Sequence, residues 1–301
     1  MNITQVDWCS FRSKLGPEDL SDLVESAFPS EYRFDLGDTG KGWNGYEKSV
    51  DLLLLGKRVG AIATGGQYQR GWSQVTLTGE AMPHIQNPAE TLSKLVDDSR
   101  GQYKRVDIAL TTMDGSVTAE KVLAAYRSGG FDCTSNRPSC MTLRPEDPSE
   151  GTTVAIGKRT QPKYFRAYEK GFQMAKQLAY PHDNFDGVPL ADIFRLELEI
   201  KADPADFPPD ILTNRDAFFA GAYPYLGTVV HADPSTFSLT PQRQAQLTLD
   251  ASLECIRRQW GNTLFTALAA HQGDYMAVWE KIVGRQHCKA LVERGAMFAS
   301  V

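Results

Sequence analysis

Three short segments with strict two-residue alternation set the tightest limit on how this chain can fold. In KYFRAYEK, Tyr164, Arg166, Tyr168 and Lys170 fall on one side, with Phe165 and Ala167 on the other. In KRVDIAL, Val106, Ile108 and Leu110 alternate with Arg105 and Asp107. In FRLELEIK, Leu196, Leu198 and Ile200 alternate with Arg195, Glu197, Glu199 and Lys201. Successive strand side chains point to opposite faces, so each segment reads as a strand with one apolar and one charged face. A sheet holding all three would press its apolar back against helices. Its front would carry three carboxylates, several cations and two tyrosines.

Tyrosine hydroxyls among cations place a nucleophile beside phosphate-binding charge, which points to phosphoryl transfer on nucleic acid. Three carboxylates on such a face form an oxygen-rich donor set suited to a hard divalent cation, Mg²⁺ or Mn²⁺. Each piece also has a plainer reading. Alternating charges on a strand commonly make cross-strand ion pairs, Asp107 is placed to partner Arg105, and strand tyrosines commonly pack. Only together do the three segments favour a catalytic site over a solvated face. A hydrolase using Glu197 and Glu199 as acid and base fits least well, because residues two apart on one strand are close neighbours.

The net charge of −5 argues against general DNA affinity. Its distribution does not: Lys158, Arg159, Lys163, Arg166, Lys170 and Lys176 meet a single acid, Glu169, between Lys158 and Lys176. That local basic surface lies beside the tyrosines and predicts salt-sensitive binding. With 301 residues, 42% hydrophobic and 23% charged, the chain can bury a sizeable core. No apolar run reaches the roughly 18 residues of a membrane helix, and the opening MNITQVDWCSFRSKL lacks a secretory pattern. Five cysteines without C-x-x-C spacing fit reduced thiols, so a cytoplasmic protein is expected. The five histidines are scattered, with no pair at metal-ligand spacing, and His84 reads as a surface or strand-end residue.

Helices are expected at Pro17 to Ala27, at Thr118 to Ser128 with Thr118 as cap, and at Gly171 to Tyr180. Thr134 to Gly151, with three prolines, reads as a loop, Asp114 as a turn residue before Gly115, and LLLL at Leu52 to Leu55 as a buried strand. The fold class is α+β, a mostly antiparallel sheet with helices on one face, followed by a helical C-terminal region. Residues 1–202 form the strand-rich region, divisible into two related hairpin-rich modules at about 30–100 and 101–202. Residues 203–301 form a proline-rich joint and helices patterned in QRQAQLTLDASLECIRRQW, NTLFTALAAHQ, DYMAVWEKIVG and CKALVERGAMF. That tail packs on the sheet region, pairs with a second copy, or reads duplex DNA.

The order GTTVAIGKRTQPKYFRAYEKG, preceded by RVDIAL and followed by RLELEIK, resembles the replication initiation factor (Rep_trans) family of rolling-circle initiators and relaxases. Its phage branch, the RstA-type proteins of filamentous phages, is the most similar, and GWNGYEKSVDLL and VTLTGEAM resemble the family's opening strands. The resemblance implies an HUH-like nicking core without the histidine pair. It implies origin-specific nicking by a tyrosine, a 5′-phosphotyrosine link and a free 3′-OH primer. Carried onto this sequence, the nucleophile is Tyr168, with Tyr164 as the alternative on the same face. Arg166 and Lys170 support it, Asp107, Glu197 and Glu199 hold Mg²⁺ or Mn²⁺, and Lys158, Arg159, Lys163 and Arg105 contact DNA. The expected partners are origin DNA, as a hairpin or supercoiled duplex single-stranded at the nick, and the host polymerase. A host helicase is expected too, since the chain has no G-x-x-x-x-G-K-[ST] loop. A non-catalytic origin-binding protein with the same fold is the alternative, and it would form no covalent adduct.

Overall fold

The computed structural model describes residues 3–30, 32, 34–133, 137–179, 182–201, 207–235, 253, 256–257, 260–284 and 286. The chain divides into two compact units, Met1–Phe237 and Ser238–Val301. That division falls later than the joint expected at 203.

The first unit is built on one ten-stranded sheet. In chain order its strands are β1 (Gln5–Ser13), β2 (Asp35–Asp38), β3 (Lys48–Leu54), β4 (Lys57–Thr64), β5 (Ser73–Leu77), β6 (Gln102–Thr112), β7 (Cys140–Leu143), β8 (Thr153–Gly157), β9 (Lys163–Glu169) and, after a two-stranded hairpin, β10 (Asn184–Phe185) with β11 (Val188–Pro189), β12 (Phe194–Lys201). The spatial order is β2-β3-β4-β5-β1-β6-β12-β9-β8-β7, and every neighbouring pair is antiparallel. The two halves share one topology: a central strand (β1 or β6), a helix, and a meander that returns to pair with it through β5 or β12. The first half runs from β1 to β5 and the second from β6 to β12.

The alternation read from the sequence is the alternation found. Val106, Ile108, Leu196, Leu198, Phe165 and Ala167 are buried in one core, joined by Cys9 and Phe11 of β1. Helices α1 (Pro17–Glu25), α2 (Pro88–Asp98) and α3 (Ala119–Arg127) contribute Leu20, Val24, Leu92, Leu95, Val96 and Val122 to it. Thr118 caps α3, its hydroxyl accepting from the Lys121 amide at 3.4 Å. Beyond α4 (Lys170–Leu178), helices α5 (Arg215–Ala222) and α6 (Pro224–Val229) add Phe218, Phe219 and Leu226. Phe131 sits at the junction, with ring centroids 5.3 Å from both Phe165 and Tyr223. Burying each such ring contributes about 1.5–3 kcal/mol.

Two local expectations change and a third holds. Leu52 and Leu54 are buried in β3, but Leu55 is 80% exposed. It forms with Gly56 the two-residue turn to β4, both at positive φ, the twist that a tight hairpin favours. The segment expected as a loop from Thr134 contains β7, an edge strand paired to β8 from Cys140 opposite Ile156 to Leu143 opposite Thr153. Met141 and Leu143 stay exposed there, which hides the strand from a burial pattern. Asp114 is the turn residue expected, accepting from the Ser116 amide at 3.0 Å.

In the second unit, residues 260–270 are helical and a further helix spans Tyr275–Ile282, capped by Asp274, which accepts from the Ala277 amide at 3.1 Å. Most of the helix expected at 242–260, all of that at 288–298, and Cys255 and Cys288 lie outside the described residues. Cys9, Cys133 and Cys140 are free thiols. Among the described residues no helix is long and apolar enough to cross a membrane.

Candidate functional site

Strand register brings the three alternating segments together. β12 lies between β6 and β9, with Glu199 opposite both Asp107 and Tyr164, Glu197 opposite Ala109 and Arg166, and Arg195 opposite Thr111 and Tyr168. Their shared polar face is therefore real. It is not a solvated display: Asp107, Glu197 and Glu199 are 1%, 3% and 2% exposed.

Each carboxylate faces a cation. Arg105 grips Asp107 with two nitrogens, its Nε at 2.8 Å, and its Nη2 lies 2.8 Å from Glu199. Lys201 Nζ reaches the other oxygen of Glu199 at 2.5 Å. These last two contacts have ion-pair distance without hydrogen-bond direction, so both buried Glu199 oxygens lack a directed donor. Glu197 binds Arg166 through Oε1. Burial pushes Asp107 up to about 7, outweighing the opposing pull of Arg105. The cross-strand ion-pair reading of FRLELEIK thus holds, but in a buried setting, where removing one partner costs about 3–5 kcal/mol.

Above the Arg195 end of β12 opens a cleft of about 930 Å³. Tyr168, Arg166, Lys170, Arg195 and Glu197 line it, with Gln5 and Asp7 from β1 and Glu80 beyond β5. The Tyr168 hydroxyl donates to Glu197 Oε2 at 3.3 Å. Burial, then the Glu197 charge, hold this phenol well above its usual pKa, while Arg195 and Arg166 pull it back. Lys170 lies 6.0 Å from the Tyr168 ring centre and donates to Gln173 Oε1 at 2.9 Å, a neutral partner. Burial, then Arg195, draw its pKa down. Tyr164 does not line this cleft: it is 8% exposed, with Arg159 stacked 5.4 Å over its ring.

Arg195, Asp7 and Gln5 were not among the expected site residues. Arg195 is 6% exposed; it binds Asp7 and donates to Thr111 Oγ1 at 3.1 Å. With its amide oxygen turned toward the guanidinium, Gln5 accepts from Arg195 at 3.0 and 2.7 Å. The Arg195 Nε has no hydrogen-bond partner among the described residues. The only sequence signal for Arg195 was its place on the charged face of FRLELEIK, since nothing local ties it to Asp7.

Of the cations expected to meet DNA, Lys158 and Arg159 are exposed on the β8–β9 turn. Lys163 instead donates to the Ala222 carbonyl at 3.0 Å and covers the Tyr223 ring, and Arg105 serves the buried carboxylates. Among the described residues no group of three or more His, Cys, Asp or Glu side chains is placed to hold a metal. As arranged, Asp107, Glu197 and Glu199 do not fit a divalent cation, because guanidinium and ammonium groups occupy their oxygens' surroundings and only Glu197 reaches the cleft.

An antiparallel α+β scaffold with a tyrosine cleft at one end of its sheet is the class defined by these features. The family follows from the match of residues 101–283 to the model described as replication initiation factor, Rep_trans: the chain belongs to that family. Among solved structures it is similar to a rolling-circle replication initiator protein from Geobacillus stearothermophilus. The two share 19% identity at a TM-score of 0.54, over 72% of this chain and 83% of that one, a likeness of fold alone. No curated protein matches this chain.

Proposed function

We propose that this protein initiates rolling-circle replication by nicking origin DNA through Tyr168, and that it belongs with the initiators of filamentous phages. The observation that carries this reading is the Tyr168–Glu197 hydrogen bond at the floor of a cleft lined by Arg166, Lys170 and Arg195. A scissile phosphate entering there meets three cations and an uncharged phenol whose proton already points at a carboxylate. Tyr168 Oη attacks phosphorus as Glu197 takes its proton, and the bond from phosphorus to the 3′ oxygen breaks. The 3′ oxygen leaves as a hydroxyl, protonated from the cleft, and the 5′ phosphate stays on Tyr168. Arg166, Lys170 and Arg195 stabilise the extra charge on the phosphorus oxygens. The exchange of one phosphodiester for another conserves bond energy, so resealing requires no nucleotide.

The family resemblance implies Mg²⁺ or Mn²⁺, and the three carboxylates would have to leave their cations to take one, so no step here is routed through a metal. Wild type and Tyr168→Phe, incubated with negatively supercoiled origin DNA and either cation, should differ in two respects. The wild type relaxes the DNA and forms an SDS-resistant adduct, and the variant does neither. An adduct persisting in Tyr168→Phe would transfer the role to Tyr164. Origin binding without any adduct from wild type would favour the binding-only alternative.

A further inference from the structure

The nicking cleft occupies one end of the sheet, and antiparallel register places a different set of side chains at the other. β12 runs from Arg195, at the cleft, to Lys201, whose amide donates to the Pro162 carbonyl at 2.7 Å and whose Nζ donates to the Arg159 carbonyl at 2.9 Å. The β8–β9 turn bearing exposed Lys158 and Arg159 is thereby pinned at the remote end. β1 runs the opposite way to β6, so its last residue, Ser13, also lies at that end, opposite Ser73 at the start of β5. Exposed Lys14 follows it, donating to the Arg70 carbonyl at 2.7 Å in the β4–β5 loop. Trp72 fixes this second cluster, with Arg12 4.4 Å and Lys14 4.8 Å from its ring centre. The loop from Gly65 to Trp72 holds no acid of its own, although Glu47 packs against Gly65.

Two exposed cation clusters therefore sit on one end of a protein whose net charge is −5. Three strand spacings, β1 to β6 to β12 to β9, separate them by about 14 Å. That exceeds the roughly 12 Å width of a DNA major groove, so the clusters can meet phosphates on both banks of a groove, which a single strand does not offer. Along the strands, the six steps from Arg195 to Lys201 place this end about 20 Å from the cleft, or roughly six base pairs of rise. We propose that the end of the sheet remote from Tyr168 is a duplex-binding site, in which Lys14 and Arg70 on one side and Lys158 and Arg159 on the other hold the double-stranded arm flanking the nick. Its geometry relative to a nick rests on the nicking reading; its binding of duplex does not.

The test uses the full chain carrying Tyr168→Phe, so that no adduct forms, and fluorescence anisotropy with a duplex of about 20 base pairs of arbitrary sequence and with the matching single strand. Lys14→Glu with Arg70→Glu, and separately Lys158→Glu with Arg159→Glu, should each weaken duplex binding at least about tenfold. Each should also lower the salt slope by about 0.9 for every phosphate no longer neutralised. Unchanged duplex binding, or an equal weakening for the single strand, overturns the proposal. In the Tyr168 protein, the Lys14→Glu, Arg70→Glu variant should still form adduct on a short single-stranded origin oligonucleotide. If wild type forms none while the duplex effect holds, the nicking reading fails and the duplex site stands.

Discussion

Tyr168 and Tyr164 share a strand face, and the sequence alone could not rank them on geometry. Their surroundings differ: one hydroxyl meets Glu197 in an open cleft, and the other ring lies under Arg159. If Glu197 accepts the phenol proton, Glu197→Gln should lower the rate of adduct formation by about 10²–10⁴ while origin binding persists, measured by single-turnover gel assays. Asp107 offers a separate test. Its carboxyl titrates near 3.8 in the unfolded chain and about 7 in the folded protein, so the folded state binds the extra proton between those values. The stability this contributes is complete below 3.8 and is lost as pH rises through 7. Melting temperature should therefore decline across that window in wild type, relative to Asp107→Asn, and the difference should level off above it. A difference that is flat with pH would mean Asp107 stays ionised throughout, held by Arg105.

At the scale of elements, alternation in the three strand segments was enough to assign faces, and Thr118 and Gly129 were enough to bracket α3. What local pattern did not encode was register. Arg195 meets Asp7 across 188 residues, and no periodicity in either segment announces that pairing. Nor could it show that the three carboxylates would be buried, since an exposed ion-pair ladder and a buried one read alike in FRLELEIK. β7 escaped for the opposite reason, its edge position leaving apolar residues in solvent. The junction of β9 and α4 depends on close backbone approach: a Cβ at Gly171 would lie 2.2 Å from the Leu190 carbonyl oxygen. Gly171→Ala should push α4 away from the Leu190–Asp192 turn, cost about 1–3 kcal/mol in denaturant unfolding, and reduce adduct formation by displacing Lys170.

For the molecule as a whole, α5 and α6 belong with the sheet, since Phe218, Phe219 and Leu226 share its core. A chain ended at Phe237 should therefore unfold in one cooperative transition and retain adduct formation. Loss of cooperative folding on calorimetry would show that residues from Ser238 onward are needed to complete that core. The first unit also closes on itself end to end: the amides of Ile3 and Thr4 donate to Asp216 at 2.8 Å, and Asp7 holds Arg195. Seen as an event in time, this closure orders synthesis and folding. A ribosome that has made Tyr168 has not yet made Glu197, and the strand carrying Asp7 waits, already synthesised, for β12 and α5 to emerge. At 5–20 residues per second that wait lasts roughly 10–40 seconds, and the Tyr168 hydroxyl has no Glu197 to meet until most of the first unit has been translated.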